Sequence, residues 1–318
     1  MFISSCPLRV SLFGGSTDSP AFIEKHGYGS VINFSCNLNT YVTLTQDALF
    51  GFNQHGHKYI LNYSRREEVS SISDIQNDLM RGVLEHFDLP PVSVSLTSDV
   101  YSHGSGLASS SSYIISMIKS ISMFNEMQLS DNEIVDLAYQ IELKMNRYCG
   151  FQDPYGCGIP GFKRIEWTQG GIKHEYLPQK FFRDYDAHLV FTGVTRNSAA
   201  VLEDVAKNTT ESWQLLNVVD KAYSALKDED YELFIGLITV GWQMKKDTSR
   251  LMVKNSGIKE LDLDLYERET VLAHKLCGAG NGGFFLVISE KDKLDIPHKS
   301  IKINVGTTGI NGSKYGVL

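Results

Sequence analysis

The chain has 318 residues, with 30 Lys and Arg against 37 Asp and Glu, so its formal net charge at pH 7 is −7. Hydrophobic residues make up 42% and charged residues 21% of the sequence, values typical of a globular protein with a sizeable core. The acidic balance argues against a broad nucleic-acid surface, because phosphate backbones are bound by basic patches. We therefore expect no nucleic-acid partner.

The sequence also disfavours membrane segments and metal clusters. No stretch approaches the roughly 18 apolar residues of a spanning helix, and the start MFISSCPLRV lacks the basic and apolar blocks of a signal peptide. The five cysteines are scattered without a CxxC pair, which argues against a disulfide framework and a zinc site. His55 and His57 flank Gly56, and this pattern favours a hairpin turn over a metal site. We predict a cytoplasmic protein with no membrane partner.

Strands followed by helices are predicted in the first half of the chain. Leu8, Val10 and Leu12 alternate with the residues between them, which predicts a half-buried strand. This strand runs into a glycine-containing loop at residues 14–18. Further strands are predicted at residues 41–45 and 92–96, with a helix at 75–87 between them that Pro90-Pro91 ends.

The second half of the chain begins with two helices and then returns to strands. Apolar residues recur at helical spacing from Ser110 to Phe124, and Ser130 with Glu133 forms a capping box that starts the next helix. Strands are then predicted near residues 162–167 and 188–192, helices around 212–226 and 231–244, a last helix near 265–275 and a strand at 284–288. We predict an α+β architecture of two domains, joined near residues 160–185.

The clearest chemical signal is the segment Gly104-Ser105-Gly106-Leu107-Ala108-Ser109-Ser110-Ser111, which lies between a strand and a helix. Glycines allow close backbone approach to an anion, and a helix start supplies free N–H groups and a positive dipole end. The segment is neither a Walker loop nor a Rossmann fingerprint. A flexible Gly/Ser linker is the alternative, but the apolar helix that follows at once favours a phosphate-binding loop.

Two carboxylates form the second signal. Glu142 lies at the margin of the apolar face of the capped helix, where a buried carboxylate would need a cation or hydrogen-bond donors. Asp153 lies in the turn-rich segment 150–156 just beyond that helix. Isolated Asp and Glu residues are usually solvated surface charges, so the residues alone leave the role of this pair open.

The third signal is the run 277–283, in which four of seven residues are glycine. Such a run permits a tight backbone path before the apolar strand at 284–288. So dense a glycine run favours contact of the backbone with a ligand or another loop, with a simple connection between a helix and a strand as the alternative.

Together these segments resemble the GHMP kinase superfamily over nearly the whole chain. The first, second and third family motifs match residues 7–18 (PLRVSLFGGSTD), 104–112 (GSGLASSSS) and 275–284 (KLCGAGNGGF). Within the superfamily, the segments 150–156 and 192–196 (TGVTR) are most similar to the heptose 7-phosphate kinases. Ala108 stands where the family usually has glycine, and Pro154 replaces the glutamine that usually follows the aspartate.

The resemblance implies a fold and cofactors. The fold would be a GHMP kinase fold with an N-terminal domain like ribosomal protein S5 domain 2 at residues 1–170 and a ferredoxin-like C-terminal domain at 171–318. ATP would bind with its phosphates on residues 104–111, together with Mg²⁺. The partner would be a sugar phosphate substrate, and the resemblance is compatible with a homodimer.

The resemblance also implies roles for particular residues. Ser110 and Glu142 match the magnesium ligands, and Asp153 matches the aspartate that orients or deprotonates the attacking hydroxyl. Arg9 matches an arginine near that aspartate, with a surface charge as the alternative. The residues expected to bind substrate are Gly14, Gly15, Asp18 and Arg196. For Arg196, an ion pair is the alternative to phosphate binding.

The activity implied is transfer of phosphate from ATP to the anomeric hydroxyl of a heptose 7-phosphate. A kinase for the anomeric hydroxyl of another sugar, such as L-fucose, is a close alternative. A sugar-sensing protein of the same fold without turnover is a further alternative, and the retention of Glu142 and Asp153 argues against it.

Overall fold

Two β-sheets organise the protein. The computed structural model describes residues 1–47, 58–101, 104–168, 170–195, 209–248 and 251–316. The larger sheet contains β1 (Phe2–Phe13), β2 (Tyr28–Thr45), β3 (Tyr59–Asn62), β4 (Arg66–Val69), β5 (Ser93–Ser98), β6 (Phe162–Thr168), β7 (Gly171–Tyr176) and β12 (Asn311–Lys314). The smaller sheet contains β8 (Tyr185–Phe191), β9 (Ala273–Leu276), β10 (Phe284–Glu290) and β11 (Ser300–Ile303).

Helices pack against both sheets. In the described ranges they are α1 (Pro20–His26), α2 (Asp78–Phe87), α3 (Ser109–Phe124), α4 (Asp131–Met145), α5 (Gln152–Gly158), α6 (Phe181–Asp184), α7 (Thr209–Lys227), α8 (Tyr231–Thr248) and α9 (Ser256–Glu267), with one short 3₁₀ turn at Ile72–Asp74. The capping box predicted at Ser130 and Glu133 is present at the start of α4, with both reciprocal hydrogen bonds. None of the helices in these ranges has both the length and the apolar character that a membrane span requires.

The strand order places β1 and β2 at the centre of the larger sheet. The order is β12-β1-β2-β5-β3-β4. β2 is 18 residues long and pairs with β5 through its second half and with β6 through its first half. β3 and β5 are parallel, whereas β1 and β2 are antiparallel. The smaller sheet is antiparallel in the order β11-β8-β10-β9.

A continuous apolar core joins the two sheets. It contains Leu8 and Val10 from β1, Leu189 from β8, Val219 from α7 and Ile238 from α8, all of them buried. A second core lies among β2, β5 and the helices α2, α3 and α4. The N–H of Arg9 on β1 donates to the carbonyl of Leu107 just before α3, and the N–H of Phe284 donates to Ser105, so the three sequence motifs come together at the start of α3.

β1 is buried on both faces, so the prediction of a half-buried strand is wrong. Arg9 is 2% and Ser11 4% exposed, although both alternate with the core leucines and valine. Helix α5 and the phosphate loop cover the face that the sequence pattern assigned to solvent. The polar residues on that face are therefore buried site residues rather than surface residues.

The last helix was also predicted in the wrong place. Instead of a helix near residues 265–275, α9 ends at Glu267 and the chain enters β9 at Ala273. All four residues of β9 are buried, because the strand pairs with β10 and packs in a third apolar core that includes Trp242 and Phe285. The glycine-rich run 277–283 consequently connects two strands, and not a helix to a strand.

The segment 150–156, predicted to be turn-rich, includes the first residues of the short helix α5. Pro154 fits there because the first turn of a helix does not need its N–H. The predicted hairpin at His55 and His57 and the predicted site residue Arg196 lie outside the described residues. The domain boundary at residue 170 stays a prediction. Strand β7, which begins just after it at Gly171, pairs with β6 in the larger sheet.

Candidate active site

The predicted phosphate loop leads directly into α3. The helix begins at Ser109, after Ala108 in a left-handed conformation (φ 60°, ψ 38°). The N–H groups of the first helical turn have no intrahelical acceptor and carry the positive end of the helix dipole. Ser105 stabilises the loop, because its hydroxyl accepts a hydrogen bond from the N–H of Leu107 (3.2 Å) and contacts the Ser109 hydroxyl (2.8 Å). This arrangement suits the binding of an anion.

The hydroxyl-bearing residues at the helix start differ in exposure. Ser110 is exposed, whereas Ser109 and Ser111 are buried. Leu107 is fully buried and belongs to the core that joins the two sheets. Of the eight predicted loop residues, Ser110 is therefore positioned for a ligand in solvent, while Leu107 holds the loop on the core.

The glycine-rich run 277–283 packs against the phosphate loop backbone to backbone. The N–H of Phe284 donates to the carbonyl of Ser105 over 3.1 Å. A Cβ on Gly106 would lie 2.5 Å from the carbonyl oxygen of Cys277, and a Cβ on Gly283 would overlap the carbonyl oxygen of Ser105. The run is therefore a structural support of the phosphate loop, and glycine is required at both contacts because no side chain fits.

Arg9 connects the phosphate loop to Asp153. Its Nη2 donates to Asp153 Oδ1 over 2.6 Å, its Nε donates to the same oxygen over 3.1 Å, and its Nη1 donates to the carbonyl of Gly106 over 2.7 Å. The Arg9 side chain is 3% exposed, whereas that of Asp153 is 37% exposed. The pair thus presents a partly open carboxylate, held by a buried guanidinium, next to the loop.

Glu142 is buried at the end of α4 with one unsatisfied oxygen. The Cys149 thiol donates to its Oε2 over 2.9 Å, while Oε1 has no hydrogen-bond partner among the residues that the structure describes. Burial raises the pKa of Glu142 to about 7, against the lowering effect of Cys149 and Ser111. A buried carboxylate oxygen without a donor is costly unless a cation or a further donor reaches it.

The loop after β1 brings a third carboxylate to the same place. Asp18 is 6% exposed and accepts a hydrogen bond from the N–H of Gln152 over 3.2 Å. Burial, with the neighbouring charge of Asp153, raises the pKa of Asp18 to about 6. Gly15 faces the site, whereas Gly14 packs against the backbone of β2. The structure therefore brings Gly15 and Asp18 toward Asp153 and places Gly14 behind them.

Two site residues were missed from the sequence. Lys245 on α8 is 7% exposed, and Gln152 at the start of α5 is 5% exposed, with no hydrogen-bond partner for its Oε1 in the described part of the chain. A point next to Gly15 lies 3.5 Å from Lys245 Nζ and 3.8 Å from Gln152 Nε2. Gln152 directly precedes Asp153, which could have drawn attention to it. Lys245 lies about ninety residues further along the chain, and only the packing of α8 shows where it lies.

The residues present fit a magnesium ion. Glu142 offers a buried carboxylate oxygen to which no described residue donates, and the serine hydroxyls of the first turn of α3 offer further oxygen ligands. In the described ranges, no three His, Cys, Asp or Glu side chains could together hold a metal by themselves. This is compatible with Mg²⁺, which uses one or two carboxylates and takes its other ligands from phosphates and water.

Comparison with known proteins agrees with this geometry. The family described as GHMP kinases N terminal domain matches residues 75–161, which include the phosphate loop, Glu142 and Asp153. Residues 75–161 are thus similar to the GHMP kinase N-terminal domain, and the chain has the GHMP kinase fold. The resemblance and the fold class expected from the motifs are thereby confirmed.

Individual relatives cover nearly the whole chain. The D-glycero-alpha-D-manno-heptose 7-phosphate kinase of Campylobacter jejuni is 26% identical over 305 residues, covering 90% of this chain and 89% of the relative. The L-fucokinase/L-fucose-1-P guanylyltransferase of Bacteroides fragilis is 24% identical, covering 93% of this chain and 35% of the relative. A crystal structure described as a D-glycero-D-manno-heptose 1-phosphate kinase from Bacteroides thetaiotaomicron covers 100% of both chains with a TM-score of 0.76 and 20% identity. All three of these proteins are named as kinases.

Proposed function

We propose that this chain is an ATP- and Mg²⁺-dependent sugar kinase that phosphorylates the anomeric hydroxyl of D-glycero-D-manno-heptose 7-phosphate to the 1,7-bisphosphate. One observation carries the kinase assignment. The buried Arg9 side chain contacts both the backbone of the phosphate loop and the carboxylate of Asp153. The carboxylate that would orient the acceptor hydroxyl and the loop that would bind the nucleotide phosphates are thus held together by one side chain.

The residues supply positioning and charge, which is most of what phosphoryl transfer requires. Asp153 is the residue that would orient the anomeric hydroxyl and take its proton as the oxygen bonds to the γ-phosphorus and ADP leaves. Arg9 fixes the Asp153 carboxylate through two donors to one oxygen, and its positive charge lies near the transferring group. The N-terminus of α3 supplies N–H donors to the phosphates.

The metal would be held by Glu142 and the exposed hydroxyl of Ser110. A bound Mg²⁺ ion would neutralise charge on the nucleotide phosphates. Among the described residues Glu142 Oε1 has no hydrogen-bond partner, so a cation bound there would offset the cost of burying the carboxylate. Ser111 lies close enough to Glu142 to lower its pKa, so this second hydroxyl would orient the carboxylate.

The sugar assignment rests on the relatives together with the site. The Campylobacter jejuni protein, which covers 90% of the chain, is named for the heptose 7-phosphate. Gly15 and Asp18 would contact the sugar beside Asp153, and Arg196 would bind its phosphate. Because the reaction consumes ATP, we place the enzyme in the cytoplasm.

A panel of acceptors tests this function. Purified protein with ATP and Mg²⁺ is offered the heptose 7-phosphate, L-fucose, D-galactose and mevalonate, and ADP release is coupled to a spectrophotometric signal. We expect ADP release with the heptose 7-phosphate and a product one phosphate heavier by mass spectrometry, with the new phosphate on C1 by NMR. Activity on L-fucose with none on the heptose phosphate would contradict the sugar assignment.

L-Fucose is the second candidate, since the Bacteroides fragilis relative covers 93% of this chain. A sugar-sensing protein without turnover is a third alternative. It conflicts with the presence of the Asp153–Arg9 pair and of Glu142, whose buried carboxylate suits a metal ion. Absence of ADP release with every acceptor, despite measurable sugar and nucleotide binding, would favour the sensor.

A further inference from the structure

Lys275 is a buried basic residue that the proposed mechanism does not use. It lies on β9, is 4% exposed, and donates from Nζ to the carbonyl of Leu12 on β1 over 2.8 Å. We propose that Lys275 is a positioning residue for acceptor binding, because it fixes the start of residues 14–18, here called the acceptor loop, relative to the phosphate loop. The proposal deepens the proposed function and rests on it, since Gly15 and Asp18 would contact the sugar.

The Leu12 carbonyl lies where β1 leaves the larger sheet. The pairing of β1 with β2 changes register between Ser11 and Phe13, and Leu12 is the residue between them. Such a shift bends a strand and re-aims the chain. Gly14 and Gly15 follow directly, both at positive φ, and begin the acceptor loop. A hydrogen bond to the Leu12 carbonyl therefore constrains the direction in which the chain enters this loop.

The far end of the acceptor loop is held separately, by the segment that starts α5. The N–H of Phe151 donates to the Asp18 carbonyl over 3.2 Å, and the N–H of Gln152 donates to the Asp18 carboxylate over 3.2 Å. A Cβ on Gly150 would lie 2.0 Å from Asp18 Oδ2, so the carboxylate packs directly on the backbone there. Lys275 thus holds the chain just before the acceptor loop, and the start of α5 holds its end.

The segment that carries Lys275 also contacts the phosphate loop. Cys277 lies two residues further along, and its carbonyl oxygen is 2.5 Å from the position that a Cβ on Gly106 would occupy. The N–H of Cys277 donates to the carbonyl of Phe284 over 2.9 Å, which keeps this segment paired with β10. Residues 275–277 therefore contact the phosphate loop through a backbone carbonyl and the start of the acceptor loop through a side chain.

Core packing alone does not require a lysine at this position. Burial, together with the charge of Lys245, lowers the pKa of Lys275 to about 7, so its charged form is disfavoured there. A methionine has a similar length and would be buried without that cost. What the lysine adds is the hydrogen bond to the Leu12 carbonyl.

The direct test is Lys275→Met, which keeps the length of the side chain and removes the donor. Calorimetry with a non-hydrolysable ATP analogue and Mg²⁺ measures the affinity for the heptose 7-phosphate, L-fucose and D-galactose, and ADP release gives KM and kcat. For the sugar that the wild type binds, we expect affinity to fall and KM to rise by about tenfold, the size expected for a lost hydrogen bond to a buried partner. We expect kcat to stay within about threefold and nucleotide affinity within about twofold, which also shows that the variant is folded.

Hydrogen exchange at residues 14–18 gives a readout that needs no sugar. In Lys275→Met we expect these backbone amides to exchange about tenfold faster than in the wild type, because the start of the acceptor loop loses its hydrogen bond. The amides of residues 104–111 should exchange at the wild-type rate, since Cys277 still supports the phosphate loop.

His274→Met is the matched control. His274 precedes Lys275 on β9 and is 3% exposed, but its Nε2 contacts Asp262 on α9 over 2.8 Å. Successive residues of a strand point to opposite faces, so this substitution changes a buried polar group of β9 without touching Leu12. We expect the control to keep the wild-type sugar affinity and the wild-type exchange at residues 14–18.

The outcomes separate the two proposals. Unchanged sugar affinity in Lys275→Met, or unchanged exchange at residues 14–18, would overturn the positioning role and leave the kinase assignment intact. An equal loss of sugar affinity in His274→Met would also overturn it, because the effect would then belong to β9 as a whole. Weaker sugar binding with faster exchange in Lys275→Met, and no ADP release by the wild type, would support the positioning role and overturn the kinase assignment. If no sugar binds the wild type, both proposals are wrong.

Discussion

Burial determines how single charged residues behave around α5. Lys163 on β6 is fully buried, and its Nζ donates to the carbonyl oxygens of Gly156 (3.0 Å) and Gly161 (3.2 Å). Burial lowers its pKa to about 7, since the charged form is desolvated. Arg9 lies on the same covered face of the sheet, and its guanidinium keeps its charge because Asp153 stabilises it. The same environment therefore lowers the pKa of a lysine, whereas the arginine paired with Asp153 keeps its charge.

The Lys163 pKa predicts a pH dependence of stability. Between pH 7 and the ordinary lysine pKa of about 10.5, the unfolded chain holds a proton on this residue that the folded chain has lost. The free energy of unfolding therefore rises with pH in that window, by about 1 kcal/mol per pH unit from this group. Lys163→Met should remove that contribution, so its urea unfolding curves between pH 7 and 9 should move less than those of the wild type.

Lys299→Met is the control for this series, because Lys299 is exposed. We expect it to retain the wild-type slope. An equal slope in the wild type and in Lys163→Met would show that Lys163 is charged in the folded protein at pH 9.

Which site residues could be predicted depends on how far apart they lie in the sequence. Asp153, Arg9 and Glu142 were found because they lie in or beside motifs, although only the structure shows Arg9 in contact with Asp153. The charge of Lys245 gave no such signal, since a lysine on an amphipathic helix is normally solvated. Its place next to Gly15 follows from the docking of α8, which no local pattern contains.

At the scale of secondary-structure elements, the phosphate loop depends on the turn between β9 and β10. The two segments approach so closely that Gly283 touches the backbone of Ser105 and Gly106 that of Cys277. The N–H of Phe284 completes the contact by donating to Ser105. The loop conformation is thus held by a segment about 170 residues distant in the chain. The loop needs this support because Ala108 is held in a left-handed conformation, which is strained for alanine.

We expect Gly283→Ala to destabilise the protein by about 2–4 kcal/mol. The methyl group would overlap the Ser105 carbonyl, and alanine is strained at the positive φ of this position (92°). Chemical denaturation measures the free energy, and nucleotide titration should show weaker ATP binding, because the phosphate loop would have to shift.

Gly236→Ala is the matched control. Gly236 lies within α8 with nothing within 4 Å of an added Cβ, so alanine should stabilise the helix by about 0.5–1 kcal/mol. A Gly283→Ala variant as stable as the wild type would show that the turn does not constrain the loop.

The elements predicted wrongly share one physical cause. The sequence pattern at residues 265–275 is compatible with a helix, but pairing of β9 with β10 under a core that includes Trp242 favours a strand. Likewise, β1 alternates as a half-buried strand should, yet α5 covers its polar face. Local periodicity reports which residues are apolar, while long-range packing decides what covers the polar ones.

At the scale of the whole molecule, the candidate site lies where the two sheets meet. The larger sheet supplies Arg9 and the loop with Asp18, while the smaller sheet supplies the turn that supports the phosphate loop, and α8 supplies Lys245. The apolar core through α7 and α8 fixes the two parts relative to each other. The fold class and the motif positions were predictable from sequence, whereas this convergence required the structure.

Nucleotide binding should therefore stabilise the whole protein. A non-hydrolysable ATP analogue at about one hundred times its Kd, with Mg²⁺, should raise the free energy of unfolding by about 2.7 kcal/mol, because it binds only the folded site. We expect one thermal transition that moves to higher temperature, measured by calorimetry. Two transitions, of which only one moves, would show that the halves unfold independently.

The most direct test of the central claim, that Asp153 and Arg9 act beside a nucleotide site, is the turnover of Asp153→Asn. The substitution keeps shape and removes the carboxylate, so ADP production with the heptose 7-phosphate should fall at least about a hundredfold while ATP affinity stays within about twofold. Asp136→Asn is the control, since Asp136 is an exposed aspartate that accepts a hydrogen bond from Tyr155 at 2.5 Å, and its turnover should match the wild type. Wild-type turnover in Asp153→Asn would contradict the account.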